Sequence, residues 1–226
     1  MATTQTRSSP QRAATQRNGG RAIGRASILE AALAIIDKEG LKALTMRHLG
    51  RSLGIEAMSI YHYFSSRDEL LDGIVEAIML EVGRVSQAAK TPGEDWKAVA
   101  RRLNYASRTV GKRHVEAYQL FARRPLRTVS AIEQGRELVD AFANAGLSPS
   151  TAVVAYRSIS CFTAGFVLLE TSMGTPAFSA GGFDNEFAAG LDVILAGVEA
   201  TLLPAKFQPK HRKARPARSR SRSARK

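Results

Sequence analysis

Apolar residues recur three and four positions apart along most of the chain, and no stretch shows the period-two alternation of a half-buried strand. The fold class predicted is all-α. From Arg25 to Glu39 the positions Leu29, Ala32, Leu33 and Ile36 form one stripe, and Gly40 supplies a left-handed residue to end that helix. Thr45 is a natural N-cap for a second helix that carries Leu49 and Leu53 inward and stops at Gly54. A third helix is expected from about Glu56 to Phe64, with Ile60 and Phe64 on its inner face. Ser66 and Glu69 have capping-box spacing, and Asp68 and Glu69 suit the positive end of a fourth helix. That helix carries Leu70, Leu71, Ile74, Val75, Ile78, Met79 and Val82, a stripe broad enough to be covered from two sides.

Thr91-Pro92-Gly93 marks a turn and a domain boundary. Asp95 can cap a helix with Trp96, Val99 and Leu103, which Gly111 breaks. A short helix with Val115, Tyr118, Leu120 and Phe121 runs to Arg124-Pro125, and another from about Thr128 to Ala145 buries Ile132, Leu138, Val139 and Phe142 before Gly146. Ser148-Pro149 reads as an N-cap with proline in the first turn, opening a helix to about Thr171 that is apolar around most of its circumference. Ser172 to Phe183 reads as a flexible loop, after which Asp184 caps a last helix carrying Phe187, Leu191, Ile194, Leu195, Val198 and Leu202. Four segments follow: a disordered basic tail (1–24), a helix-turn-helix DNA-binding head of three helices with a fourth (25–90), a larger helical effector-binding and dimerisation domain (91–204), and a disordered Arg/Ser-rich basic tail (205–226).

Charge sharpens this division. The 226 residues carry a net charge of +13, but residues 1–25 hold five arginines and no acid, and residues 205–226 hold ten Lys or Arg and no acid. The remaining eighteen basic residues face all twenty acids, so the middle is close to neutral and any DNA-binding face there is local. The acid-free start lacks the apolar region of a secretory signal and the amphipathic content of a transit peptide. No apolar run approaches membrane-spanning length, so no membrane partner is expected and the location is cytoplasmic, associated with the nucleoid. The single cysteine, Cys161, excludes an internal disulfide and reads as a buried, inert thiol.

Two short helices around Gly54, the second tipped with aromatics, form the device that lays a helix in the major groove. The start of the second helix faces the bases: Met58 can meet a thymine methyl, and Ser59 a base edge or phosphate. Tyr61, His62 and Tyr63 can donate to phosphates, although one of the two tyrosines is expected to be partly core. Thr45, Arg47 and Arg67 complete the DNA-facing set. The histidines His48, His62, His114 and His211 show no ligand spacing, so no metal site is expected, and no cofactor loop is present.

The run from Ala31 to Leu71, with Leu44-Thr45-Met46-Arg47, Leu53-Gly54-Ile55 and Ile60-Tyr61-His62-Tyr63-Phe64-Ser65-Ser66-Arg67-Asp68-Glu69-Leu70-Leu71, resembles the DNA-binding head of the tetracycline-repressor (TetR) family. Gly93-Glu94-Asp95-Trp96 and the segment from Cys161 to Glu170 are similar to the body of its tetracycline-sensing branch. The resemblance implies a homodimer that binds a palindromic operator in double-stranded DNA, represses, and lets go when a small molecule enters the body. That branch holds a magnesium–drug chelate through a His at the end of the fourth helix; the matching position here is about Gly83, and two further pocket positions fall near Leu103 and Ser107. Only Glu170 is retained. A more apolar effector is therefore expected, met by Trp96, Leu103, Ser107, Phe121, Phe166 and Glu170.

Two other readings compete. A nonspecific nucleic-acid or nucleoid binder would act through its basic tails alone. An enzyme would need paired carboxylates, a Cys–His pair or a cofactor loop, and the sequence offers none.

Overall fold

The computed structural model describes residues 17–18, 21–123, 129–172 and 181–202. They form nine helices: α1 Arg25–Glu39, α2 Met46–Leu53, α3 Ala57–Tyr61, α4 Arg67–Ala88, α5 Trp96–Arg113, α6 Val115–Arg123, α7 Val129–Asn144, α8 Pro149–Ser172 and α9 Gly182–Leu202. The strand content is one antiparallel pairing, Arg17–Asn18 with Arg21–Ala22. Within the segment expected as a basic tail, Arg17–Asn18 and Arg21–Ala22 pair with each other, and Ile23 lies in the core. The expectations for residues 1–16 and 203–226, for Arg124-Pro125 and for most of the 172–183 loop fall outside the described residues.

The caps explain why the helices start where they do. Thr45 Oγ1 accepts the His48 N–H at 3.1 Å, and Asp95 Oδ1 accepts the Ala98 N–H at 2.8 Å. Ser66 Oγ accepts the Glu69 N–H at 3.1 Å, while the Glu69 carboxylate turns back one residue further, onto the N–H and hydroxyl of Ser65. Gly40 does end α1 with a positive φ of 86°, but its ψ of 161° lies outside the left-handed helical region.

Two apolar clusters hold the molecule together. The first joins α1–α4 to Val110, Ala117, Tyr118, Leu120 and Val167, so the packing does not part at Thr91–Gly93. The wide α4 stripe faces α1 on one side and the body helices on the other, as its breadth requires. The second cluster gathers Val99, Leu103, Leu138, Phe142, Ile159, Phe187, Leu191 and Leu195 from α5, α7, α8 and α9. Along its edge, α5 and α9 run antiparallel under three ion pairs: Arg108–Asp184 (2.7 Å), Arg101–Asp192 (2.8 Å) and Lys97–Glu199 (2.7 Å). Asp184 is thus a partner of Arg108 inside the first turn of α9, not the cap of that helix.

Gly111 does not break α5, which continues to Arg113. A Cβ there would lie 2.7 Å from Val167 and 3.1 Å from the Tyr118 ring, so glycine serves close helix packing. Ile132 is exposed on α7, not buried. Cys161 is exposed on α8 rather than buried. The expectation that no apolar run reaches membrane-spanning length also needs correction. By length and composition α8 qualifies, with a mean hydropathy of 1.6 over its best window, only 28% of which is buried inside this chain. α8 packs on α5, α7 and α9, and its outer face keeps apolar surface that no described residue covers.

Candidate nucleic-acid interface and body cavity

The α2–α3 turn is built tightly. Gly54 takes the left-handed conformation (φ 66°, ψ 31°), and the Ile55 N–H donates to the Gly50 carbonyl at 2.9 Å. A Cβ on Gly50 would sit 2.8 Å from the Ile55 carbonyl oxygen and 3.1 Å from the Ala57 nitrogen. α3 ends at Tyr61, short of the expected Phe64, yet Ile60 on the helix and Phe64 just beyond it are fully buried and fix its inner side. That register turns Met58, 68% exposed, and Tyr61 outward, with His62 beside them and Ser59 half-buried. Thr45, Arg47 and Arg67 are exposed, and neither arginine has an ion-pair partner among the described residues.

Tyr63 is the tyrosine that turns inward. Its phenol donates to the Ile23 carbonyl at 3.0 Å, so its hydroxyl ties the N-terminal segment to the reading helix. Arg25, missed in the sequence because nothing local marks it, completes this brace. Its guanidinium lies 4.1 Å from the Phe64 ring centroid and donates to the Tyr63 carbonyl (2.7 Å) and to Glu69 (3.0 Å). The Ser65 hydroxyl and N–H, with Arg25, hold the Glu69 carboxyl down at about 2.

The body contains a cavity of about 50 Å³ bounded by α4, α5, α6, α7 and α8. Leu103, Ser107 and Phe121 line it as expected, joined by Asn104, Tyr118 and Tyr156. Every polar side chain on its wall is uncharged. Ser107 and Tyr118 share a hydrogen bond at 2.8 Å, Thr163 donates to Asn104 at 2.7 Å, and burial pushes the Tyr118 phenol up. Trp96, Phe166 and Glu170 lie elsewhere. Trp96 packs near Phe142, and Phe166 belongs to a ring cluster with Phe162, Phe183 and Phe187. Buried Glu170 accepts from Arg108 (2.7 and 2.8 Å) and Lys112 (2.8 Å), and these hydrogen bonds keep its carboxyl below the usual range against the opposing effect of burial.

Head and body meet at the start of α6. The Leu41 N–H donates to Glu116 at 2.5 Å, and His114 lies between Asp37 of α1 (2.8 Å) and Glu81 of α4 (3.0 Å). None of these was legible as a pair, because the partners stand more than thirty residues apart. Among the described residues no group of three His, Cys, Asp or Glu side chains is arranged to hold a metal ion.

Comparison with known proteins decides what this arrangement belongs to. Residues 28–74 match the model of the bacterial regulatory proteins of the tetR family, and residues 89–180 match the tetracyclin repressor-like C-terminal domain. The tetracycline repressor protein class A from transposon 1721 of Escherichia coli is 30% identical over 164 residues, covering 69% of this chain and 71% of that protein. The chain belongs to the tetracycline-repressor family. It is therefore a TetR-family DNA-binding transcriptional regulator and not an enzyme. A second TetR-type relative, the transcriptional repressor DrrR1 of Streptomyces coeruleorubidus, is 29% identical over 142 residues, spanning 61% of this chain and half of that repressor. The crystal structure of a possible TetR-family regulator from Streptomyces coelicolor A3(2) superposes with a TM-score of 0.68 at 26% identity, covering 78% of this chain and 99% of the other.

Proposed function

We propose that this TetR-family chain is a cytoplasmic repressor that grips a palindromic operator as a homodimer and leaves it when a small, uncharged effector expands the body cavity. Arg47, Met58, Ser59, Tyr61, His62 and Arg67 face the DNA, with Thr45 holding the start of α2. Tyr63 supports the reading helix from behind. The observation that carries the ligand response is the position of α6. It puts Tyr118 and Phe121 on the cavity wall and Glu116 on the backbone of the head. About 50 Å³ holds a few water molecules, whereas small-molecule sites are several times larger. An effector must therefore push the cavity open, and α6 carries the displacement to Gly40 and Leu41.

The dimer reading rests on α8 and α9. Val154, Ser158, Cys161, Gly165 and Leu169 form one exposed stripe along α8, and Ala189, Val193, Ala196 and Ala200 form another along α9. These residues are apolar or small, which suits the close approach of two helix pairs about a two-fold axis. In such a bundle Cys161 becomes buried after all. Lysine at Val154 and Val193 tests this: sedimentation should show a monomer with lost operator binding while the helical content stays unchanged. A variant that remains dimeric, or a native chain that is monomeric, contradicts the assembly.

A further inference from the structure

The body cavity, at about 50 Å³, is too small for an effector as it stands, but a second space lies against its outer wall. A groove of about 340 Å³, within the size range of small-molecule sites, runs between α4 and α7. Neighbouring residues of α4 divide between the two spaces: Met79 and Val82 line the cavity, and Leu80 and Gly83 line the groove. On α7 one residue, Gln134, lines both.

Gln134 is the partition between them. Its amide nitrogen donates to the Met79 carbonyl at 2.5 Å and crosses α4 beside Gly83, where a Cβ would stand 3.4 Å from that nitrogen. Gly83 adds no side chain of its own to the crossing. α7 is pinned about one turn to either side: the Ser130 hydroxyl donates to Glu76 at 2.5 Å, and Glu137 accepts from Lys90 (2.9 Å) and Arg102 (2.7 Å). The movable part is therefore the Gln134 side chain rather than the helix. Met79 lies inside α4, so its carbonyl is already engaged in the helix ladder and is not orphaned when the amide leaves. The amide in turn meets water or a ligand once it swings into the groove.

We propose that groove and cavity are two halves of one binding site, joined when the Gln134 side chain turns out of the partition. The site takes an uncharged molecule whose hydrogen-bond acceptor replaces the Met79 carbonyl on the Gln134 amide. Charge is disfavoured because the cavity wall carries none, and the groove's Glu137 is already held by Arg102 and Lys90. Arg84 and Glu133 stand at the exposed rim, where water screens them. That the bound molecule acts as effector rests on the proposed function; the joined site does not.

A thiol placed in the cavity reads the passage without any knowledge of the natural ligand. Thr163 lines the cavity and is buried, and Cys161 is the chain's only cysteine, so Thr163→Cys in a Cys161→Ser background carries a single reporter. The full-length protein is treated with methyl methanethiosulfonate, a small uncharged thiol reagent, and mass spectrometry follows the labelling rate. Adding Gln134→Ala should raise that rate about twofold to tenfold, the population change that one neutral hydrogen bond confers. Adding Leu80→Trp instead, at an exposed position in the groove, should lower it by filling the approach. Both rates should stay flat at low urea, as local rather than global opening requires. The anionic 2-sulfonatoethyl methanethiosulfonate should label several-fold more slowly than the neutral reagent. Labelling that neither substitution changes overturns the joined site, as does a Gln134→Ala rate that climbs with the first additions of urea. Equal labelling by the anionic reagent overturns the uncharged class. None of these rates involves DNA, so a chain that selected no operator would leave them as they are.

Discussion

Gly50→Ala is the substitution that tests the reading head most sharply. The added methyl would stand 2.8 Å from the Ile55 carbonyl oxygen and 3.1–3.3 Å from the backbone of Ala57. Both are main-chain atoms, held by the Ile55-to-Gly50 hydrogen bond and by the buried side chain of Ile60, so no rotamer change relieves the clash. The turn must open by several tenths of an ångström, an overpacking cost of about 1–3 kcal/mol. In the free protein the variant relaxes by tilting α3. On operator DNA each head must be straightened again, and two heads engaged together bring the cost to about 2–6 kcal/mol, which is roughly 30-fold or more in affinity. Fluorescence anisotropy on a two-fold site reads the binding, and thermal unfolding reads the head's stability. The expected result is a lower melting temperature with the affinity loss concentrated on specific rather than random DNA. Wild-type affinity on the specific site would refute the claim that this turn aims the DNA-reading helix.

Other consequences follow from the packing. Gly111→Ala should destabilise the protein by about 1–3 kcal/mol in denaturant unfolding, because its methyl meets Val167 and Tyr118; a gain of roughly 0.5–1 kcal/mol, the helix-propensity expectation, contradicts the close approach. Arg108→Ala strands the buried Glu170 carboxylate with only Lys112 and should cost about 3–5 kcal/mol, whereas a loss under 1 kcal/mol means that the pair is solvated. Glu69 titrates at about 2 in the folded chain, against 4.5 for a free glutamate. Its folded value is depressed, so its contribution to stability is complete above about pH 4.5 and disappears as the pH falls towards 2. Carboxyl NMR checks this, and a Glu69 midpoint near 4.5 contradicts the Ser65–Arg25 brace.

Features set by local chemistry were readable from the chain. Thr45, Asp95 and Ser66 cap helices because a side-chain oxygen two or three residues before a free N–H needs no tertiary help. The outward register of Met58 and Tyr61 follows from Ile60 and Phe64 once α3 is recognised as a helix. What depended on remote partners was misread. Gly111 resembles a helix breaker until Val167, 56 positions away, is seen to occupy the space where its side chain would be. Asp184 resembles a cap until Arg108 claims it. Cys161 sits on a helix so broadly apolar that the pattern could not tell the inner face from the outer, and nothing local marks Ile132, near the start of α7, as exposed. The cavity was half legible for the same reason: Leu103, Ser107 and Phe121 point into it, while Glu170 is drawn away by two cations.

Selection of bound sequences from a random duplex pool at physiological salt, with the full-length protein, tests the central claim most directly. A helix pair presented twice by a symmetric assembly should enrich a two-fold palindrome whose half-sites lie about one helical turn apart. A pool that stays unenriched after repeated rounds contradicts it.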